Sequence, residues 1–485
     1  MWQQYITVNY KKRDDKMTNY YLMPHPPIII PEIGKGREQE VKDTISSCEE
    51  IAKRISENEI DTVVVISPHG IIFQDAISIL VDPILKGDFS SFGEQNVSLT
   101  FENDLVFAQT LSMMAKKMEV QTALINSDYA KRIGQTSKLD HGALVPLYFL
   151  NKNHNFKIVH ITYGMLSNIA HYKFGMAIKE AINESKSKIA VIASGDLSHR
   201  LKKDGPYSYS EYGDLFDKKI TELLVEGDTN QLLNLDCSLV KEAGECGYRS
   251  LLILAGAMDG LDYTGELLSY EGPFGVGYGV VDFSIKGKSD YSAFDKYTSK
   301  IQHAHERKLN SEIHYTSLAR KSIEYYFKND SLMPIPQDFN QELISQRKGV
   351  FVSLKQNGEL RGCIGTFLPS TLNIAEEIIK NAVSAAFDDP RFSPLRLNEL
   401  WDIDISVDVL ETPEPTSKSD LDPKIYGVIV AKGQKRGLLL PNLDGVDTVE
   451  EQLDIALNKA GILQTEQYKI ERFKVTRYKE VPNND

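Results

Sequence analysis

Val63-Val64-Val65-Ile66-Ser67-Pro68-His69-Gly70 is a run of apolar, β-branched residues that stops at once on Pro, His and Gly. Such a run predicts a strand buried on both faces, as in parallel sheets covered by helices. Its ending aims an imidazole out of the carboxyl end of that sheet, where open α/β folds place their active sites. A second stretch, Tyr21-Leu22-Met23-Pro24-His25-Pro26-Pro27, has the same form. The reading is that His25 and His69 hold a metal and that the first part of the chain places it.

The neighbouring sequence extends this fold. Val41, Ile45, Cys48, Ile51, Ala52 and Ile55 recur at helical spacing within 37–57. Further helices are expected at 103–118 and 170–184, and further strands at 77–81, 156–163, 188–193 and 279–285. Alternating helices and near-continuous apolar strands predict α/β: a mostly parallel sheet sandwiched by helices over 18–285. Residues 1–17 are expected to be an N-terminal extension, and the polar stretch 286–309 a linker. From 310 to 485 the pattern becomes that of a smaller α+β domain. A helix at 311–328 opens it. Strands at 349–354 and 360–367 flank Lys355-Gln356-Asn357-Gly358-Glu359, whose Asn-Gly is a strong hairpin signal. A helix follows at 371–387, an alternating strand at 403–409 and a second hairpin at 426–431 and 437–440. Thr448-Val449-Glu450-Glu451 is a capping box, and Gly461 closes its helix. Ile470, Phe473, Val475 and Tyr478 predict one last strand of irregular register.

With 485 residues, two or three domains are expected. The net charge of −13, from 55 basic and 68 acidic residues, argues against nucleic acid or an anionic membrane as partner. No apolar run approaches the roughly 20 residues of a membrane helix, and Met1-Trp2-Gln3-Gln4-Tyr5 lacks a signal-peptide core. Four cysteines in so long a chain do not form a disulfide framework, so a reducing cytoplasm is expected. The partner is then a small-molecule substrate, with oligomerisation left open. Seven of the ten histidines lie between His25 and His199 and none follows His314, which assigns imidazole chemistry to the first domain.

Four segments carry that chemistry: His25, His69, Asp140-His141, and Ser194-Gly195-Asp196-Leu197-Ser198-His199. Two neutral imidazoles and a carboxylate leave open faces on an octahedral Fe(II) for substrate and oxygen. A histidine off the metal can act as acid and base, because its pKa lies near working pH. His154, His160 and His171 read as structural. The glycines of 270–279 lack the G-x-G-x-x-G spacing of a dinucleotide loop and imply close backbone packing instead.

Pro24-His25-Pro26-Pro27, Ser67-Pro68-His69-Gly70, Leu139-Asp140-His141-Gly142 and Gly195-Asp196-Leu197-Ser198-His199 resemble the class III, LigB-like extradiol dioxygenases and the related Memo family. The resemblance implies that His25 and His69 ligate a non-haem Fe(II) and that His199 is the acid/base. A catechol would chelate the iron, and the ring would be cleaved beside its two hydroxyls. His141 and Asp196 would line the pocket as further catalytic residues, with Asp140 and Ser198 at the substrate. Three candidates stand for the third ligand. Glu245, in Gly244-Glu245-Cys246-Gly247, would preserve two histidines and a carboxylate. Cys246 would resemble the Memo family and favour a softer ion, copper or zinc. Glu271 is the third, or else contacts substrate.

Leu360-Arg361-Gly362-Cys363-Ile364-Gly365-Thr366-Phe367, Ala386-Phe387-Asp388-Asp389-Pro390-Arg391-Phe392 and Gly437-Leu438-Leu439-Leu440-Pro441 resemble the AMMECR family. Arg361 and Cys363 fall on one strand face and are candidate ligand contacts. Together the halves resemble a two-domain family named for its occurrence beside a radical-SAM protein, which implies such a protein as partner. The leading expectation is an oxidoreductase, an Fe(II)-dependent extradiol dioxygenase acting on a small phenolic substrate. The alternative is a metal-binding or redox protein of the Memo type, with the second domain as an interaction module.

Overall fold

The computed structural model describes residues 18–152, 154–311, 313–336, 340–356, 358–401, 403–443 and 445–480. The expected extension at 1–17 and Asn357 of the hairpin signal lie outside them. The two opening runs become β1 (Asn19–Met23) and β2 (Thr62–Ser67). They are joined by β3 (Ile77–Leu80), a hairpin of β4 (Ile84–Phe89) and β5 (Glu94–Glu102), β6 (Thr122–Ile125), β7 (Lys157–Thr162), β8 (Ile189–Ser194), β9 (Leu261–Glu271) and β10 (Tyr278–Lys288). Eight of these form one sheet in the order β6-β3-β7-β2-β8-β1-β10-β9. The central four, β7-β2-β8-β1, run parallel. Antiparallel pairs flank them, β3 against β7 on one side and β1–β10–β9 on the other, so the sheet is mixed.

Every residue of β2 and β8 is buried, which is why both read as unbroken apolar runs. Successive residues feed opposite cores. Tyr20, Leu22, Val64 and Ile66 pack with helices Leu105–Lys117, Asn168–Glu184 and Tyr248–Ala257. Tyr21, Met23, Val63 and Val65 pack with helices Lys42–Glu57 and His141–Leu150. Each such side chain contributes about 1.5–3 kcal/mol by leaving water. β9 and the β4–β5 hairpin were not expected. β9 is an edge strand with much exposed surface, so its sequence carries no apolar run.

The chain divides into two compact units after Tyr297. The expected linker, 286–309, holds the end of β10 and a helix at Ala293–Leu309. That helix buries Ala293, Ala304, His305 and Lys308, small or polar groups that leave no apolar periodicity to read. Among the described residues no helix is long and apolar enough to cross a membrane.

The second unit has two four-stranded antiparallel sheets. Its strands are β11 (Val350–Gln356), β12 (Glu359–Thr366), β13 (Ile403–Leu410), β14 (Glu414–Pro415), β15 (Gly427–Lys432), β16 (Lys435–Leu439), β17 (Lys469–Phe473) and β18 (Val475–Lys479). The orders are β12-β11-β13-β18 and β14-β17-β15-β16. The irregular last strand is thus two strands, β17 and β18, which belong to different sheets. The capping box at Thr448 and Glu451 forms, and Gly461 takes the left-handed conformation at the helix end.

Arg320 of helix His314–Asn329 is fully buried. Its Nε and Nη2 each donate to Glu480 at 2.7 Å, and Nη1 donates to the Leu400 carbonyl at 2.8 Å. Removing one partner of a buried ion pair strands the other charge without water, at a cost of about 3–5 kcal/mol. Glu480→Ala is therefore expected to lower the urea midpoint of the second unit by that equivalent, while Glu480→Gln, which still accepts from the guanidinium, loses less. Equal stability of Glu480→Ala and the unaltered chain would contradict this.

Candidate metal centre

The site begins with register. In the parallel ladder Met23 pairs with Ser194, and Leu22 and Ile66 both pair with Ala193. The carboxyl ends of β1, β2 and β8 therefore stand level. His25, His69 and Asp196 each follow their strand end by two residues and converge. The turn at 244–247 comes to meet them because glycine faces glycine: a Cβ on Gly195 would lie 2.2 Å from the Gly247 Cα. That approach lets the Cys246 amide donate to the Asp196 carbonyl at 3.4 Å, and the Asp196 amide point at the Cys246 sulfur, also at 3.4 Å.

The ligand-capable atoms of His25, His69 and Cys246 lie within 4.8 Å of one another. His25 Nε2 is 3.0 Å from His69 Nε2 and 3.5 Å from Cys246 Sγ. Tetrahedral bonds of about 2.1 Å to nitrogen and about 2.3 Å to sulfur would space these atoms by about 3.4 and 3.6 Å. The two pairs that include His25 thus come within a few tenths of an ångström of the spacing a transition-metal ion imposes, and His69 and Cys246, within 4.8 Å, must close toward each other to share it. His25 and Cys246 are buried and His69 is exposed, so the site is open on the His69 side. Burial holds the Cys246 thiol well above its ordinary pKa, and the charge of Asp196 adds to this. Ligation would require a metal to displace that proton.

The surrounding groups are neutral imidazoles and buried carboxyls. His141 stacks on His69 with ring centroids 4.3 Å apart, and meets His25 edge-on at 5.5 Å. Burial, then the neighbouring His25 and His69, push its pKa down to about 3. Burial likewise lowers His25 and His199. The Nε2 of His199 is buried with no protein partner, while Tyr207 stacks on its ring at 5.0 Å. Asp196 accepts from the His25 amide at 2.8 Å, yet burial pushes its pKa up to about 6.

Several residues expected at the metal or the substrate have internal partners instead. Asp140 caps helix His141–Leu150 and accepts from Ser67 Oγ and from His160 Nε2, the latter at 2.8 Å. Burial would raise its pKa, but these hydrogen bonds hold it well below the usual carboxylate range. Ser198 is fully buried, and its hydroxyl donates to the Ala243 carbonyl at 2.9 Å. Glu245 accepts from the Tyr248 amide at 2.5 Å, at the start of helix Tyr248–Ala257, and burial pushes it up to about 7. Glu271 accepts from the Thr44 amide and hydroxyl at 2.7 and 2.6 Å, tying the end of β9 to helix Lys42–Glu57. Neither glutamate belongs to the ligand cluster.

Arg361 and Cys363 lie in the second unit. Arg361 grips Glu399 through Nε and Nη2 at 2.9 and 3.1 Å. The Cys363 amide donates to Asp389 at 2.8 Å, and its carbonyl accepts from Arg391 at 3.0 Å. The two motifs meet as a clip along the outer edge of β12, which satisfies backbone groups that an edge strand would leave open.

Two residues with roles near the site were not singled out as such. His160, read as structural, is the partner of Asp140. Asp217 accepts from the Ser198 amide and the Tyr270 hydroxyl, both at 2.7 Å, and so braces the loop that carries His199. Burial pushes Asp217 up to about 7. Its signal was legible: a carboxylate among Phe216, Ile220 and Leu223 on the apolar face of helix Tyr212–Glu226.

The family models agree with this architecture. The family model of the catalytic LigB subunit of aromatic ring-opening dioxygenase matches residues 19–281, and the AMMECR1 model matches 316–481. The chain is similar to Protein CA_C1420 of Clostridium acetobutylicum, 45% identical over 473 residues, 96% of this chain and 99% of that one. A protein of Thermotoga maritima is 51% identical over 168 residues, 34% of this chain and 97% of its own. Among solved structures, the uncharacterized protein PH0010 of Pyrococcus horikoshii is 34% identical, covering 35% of this chain and 91% of its own, with a TM-score of 0.32. The chain belongs to the family of the catalytic LigB subunit of aromatic ring-opening dioxygenase, and it carries an AMMECR1 domain fused behind that unit.

Proposed function

We propose that the first unit is a non-dioxygenase metal-binding or redox protein on a dioxygenase scaffold, with His25, His69 and Cys246 as ligands and a small molecule as substrate. The observation that carries this reading is the sulfur of Cys246, 3.5 Å from His25 Nε2, in the stretch where the resemblance to extradiol dioxygenases implies a carboxylate ligand. Two imidazoles and a thiolate form a softer donor set than the one expected for Fe(II), and they favour copper or zinc. Bound there, such an ion would act as a Lewis acid, or as a one-electron carrier if it is copper. The chain's own part is to hold neutral donors in place and to leave the His69 side open. His199 keeps an unpartnered nitrogen at the edge of the site, suited to taking or giving a proton. That nitrogen also supports the competing reading, extradiol cleavage of a catechol on Fe(II).

Metal analysis of anaerobically purified full-length protein, followed by oxygen uptake with catechols, separates the two. The expected result is about one copper or zinc ion per chain and no catechol-dependent uptake by the Fe(II)-loaded protein. Catechol-dependent uptake would overturn the non-dioxygenase reading in favour of ring cleavage. His25→Ala, His69→Ala and Cys246→Ala are each expected to lose stoichiometric metal in the same analysis. A double His25/His69 variant that keeps its metal would refute the ligand assignment. His199→Ala is expected to retain the metal and to lose turnover.

A further inference from the structure

Ser194 is the last residue of β8, and its hydroxyl has two neighbours. It donates to the carbonyl oxygen of Gly142, a contact that only the serine can supply with a proton. Its oxygen also lies 2.9 Å from His25 Nδ1. A hydroxyl has one proton, so toward His25 the oxygen acts as acceptor, and the proton of that hydrogen bond comes from the imidazole. We infer that Ser194 is a positioning residue that fixes His25 as the Nδ1–H tautomer and leaves a bare lone pair on Nε2. That lone pair faces His69 Nε2 at 3.0 Å and Cys246 Sγ at 3.5 Å, the place where the reading above puts the metal.

Ser67, the last residue of β2, is held by the same motif but meets the backbone of its histidine. It passes its proton to Asp140 and accepts from the His69 amide at 3.2 Å. Both proton acceptors, the Asp140 carboxylate and the Gly142 carbonyl, come from the start of helix His141–Leu150. The Leu139-Asp140-His141-Gly142 motif therefore contributes more than a ring beside the candidate site, since its Gly142 carbonyl accepts from the one serine hydroxyl that would otherwise donate to His25 Nδ1. Gly142 is required there, because a Cβ would lie 2.4 Å from Ser67 Oγ.

The inference rests on the metal reading only for its consequence, since the tautomer is a property of the metal-free chain. Long-range nitrogen–proton NMR of metal-free full-length protein, with His25 assigned by its absence in His25→Asn, reads it directly. The expected spectrum has His25 protonated on Nδ1 and bare on Nε2. In Ser194→Ala the proton is expected to move to Nε2, where His69 Nε2 can accept it. Zinc(II) affinity, measured by titration, should then fall by about 10- to 100-fold, the usual loss when a partner that orients a ligand is removed. Ser194→Thr restores the hydroxyl and should recover tautomer and affinity together. A wild-type His25 protonated on Nε2 overturns the inference even if Ser194→Ala fails to fold, as does a Ser194→Ala protein with unchanged tautomer and affinity. If wild-type protein binds no zinc while His25 holds its proton on Nδ1, the metal reading falls and the tautomer assignment stands.

Discussion

The level carboxyl ends of β1, β2 and β8 are the constraint on which the candidate centre depends. A parallel ladder sets that level through backbone hydrogen bonds, and burial on both faces prevents slippage. A shift of one residue would turn Val63 and Val65 to the opposite helices and move His69 away from His25. The ligands therefore need no long supporting loops. Each stands two residues past a strand whose position the core already determines, and the Gly195–Gly247 contact brings the sulfur to the same point.

Around this point the chain gathers neutral donors. His25, His141 and His199 are all held toward their neutral forms by burial, and the nearby carboxylates are turned to other tasks. Asp140 takes protons from Ser67 and His160, and Asp196 takes the His25 amide. Buried polar groups must be satisfied, and here that requirement selects which atoms remain available. Among the atoms that remain are two imidazole nitrogens, one sulfur and the unpartnered nitrogen of His199. Such a set has lone pairs to offer a cation and no fixed negative charge among its ligands until the thiol ionises.

In the second unit the most distinctive motifs meet along the edge of β12. Arg361 is held by Glu399, and Asp389 with Arg391 seals the edge of β12 at Cys363. The buried Arg320–Glu480 pair ties helix His314–Asn329 to the chain just after β18.

Much of the fold was legible from the residues alone. Runs buried on both faces announce themselves as apolar stretches, so β1, β2, β7 and β8 were found near their true limits, as were three helices of the first unit, whereas the helices at His141–Leu150 and Tyr212–Glu226 were missed. Edge strands with a wet face carry no such signal, and β9 and the β4–β5 hairpin were missed. The helix at Ala293–Leu309 was read as a linker because its buried side consists of alanines, a histidine and a lysine. At the site, strand-end histidines were visible because their position relative to the strand is a local property. The sequence by itself therefore determined two imidazoles at the carboxyl edge of a sheet. Whether the adjacent Glu245 or Cys246 joins them was decided only by the tertiary structure. The glycine-to-glycine approach sets the turn at 244–247 so that the sulfur faces His25 and the carboxylate caps a helix, and no spacing along the chain encodes which neighbour faces inward.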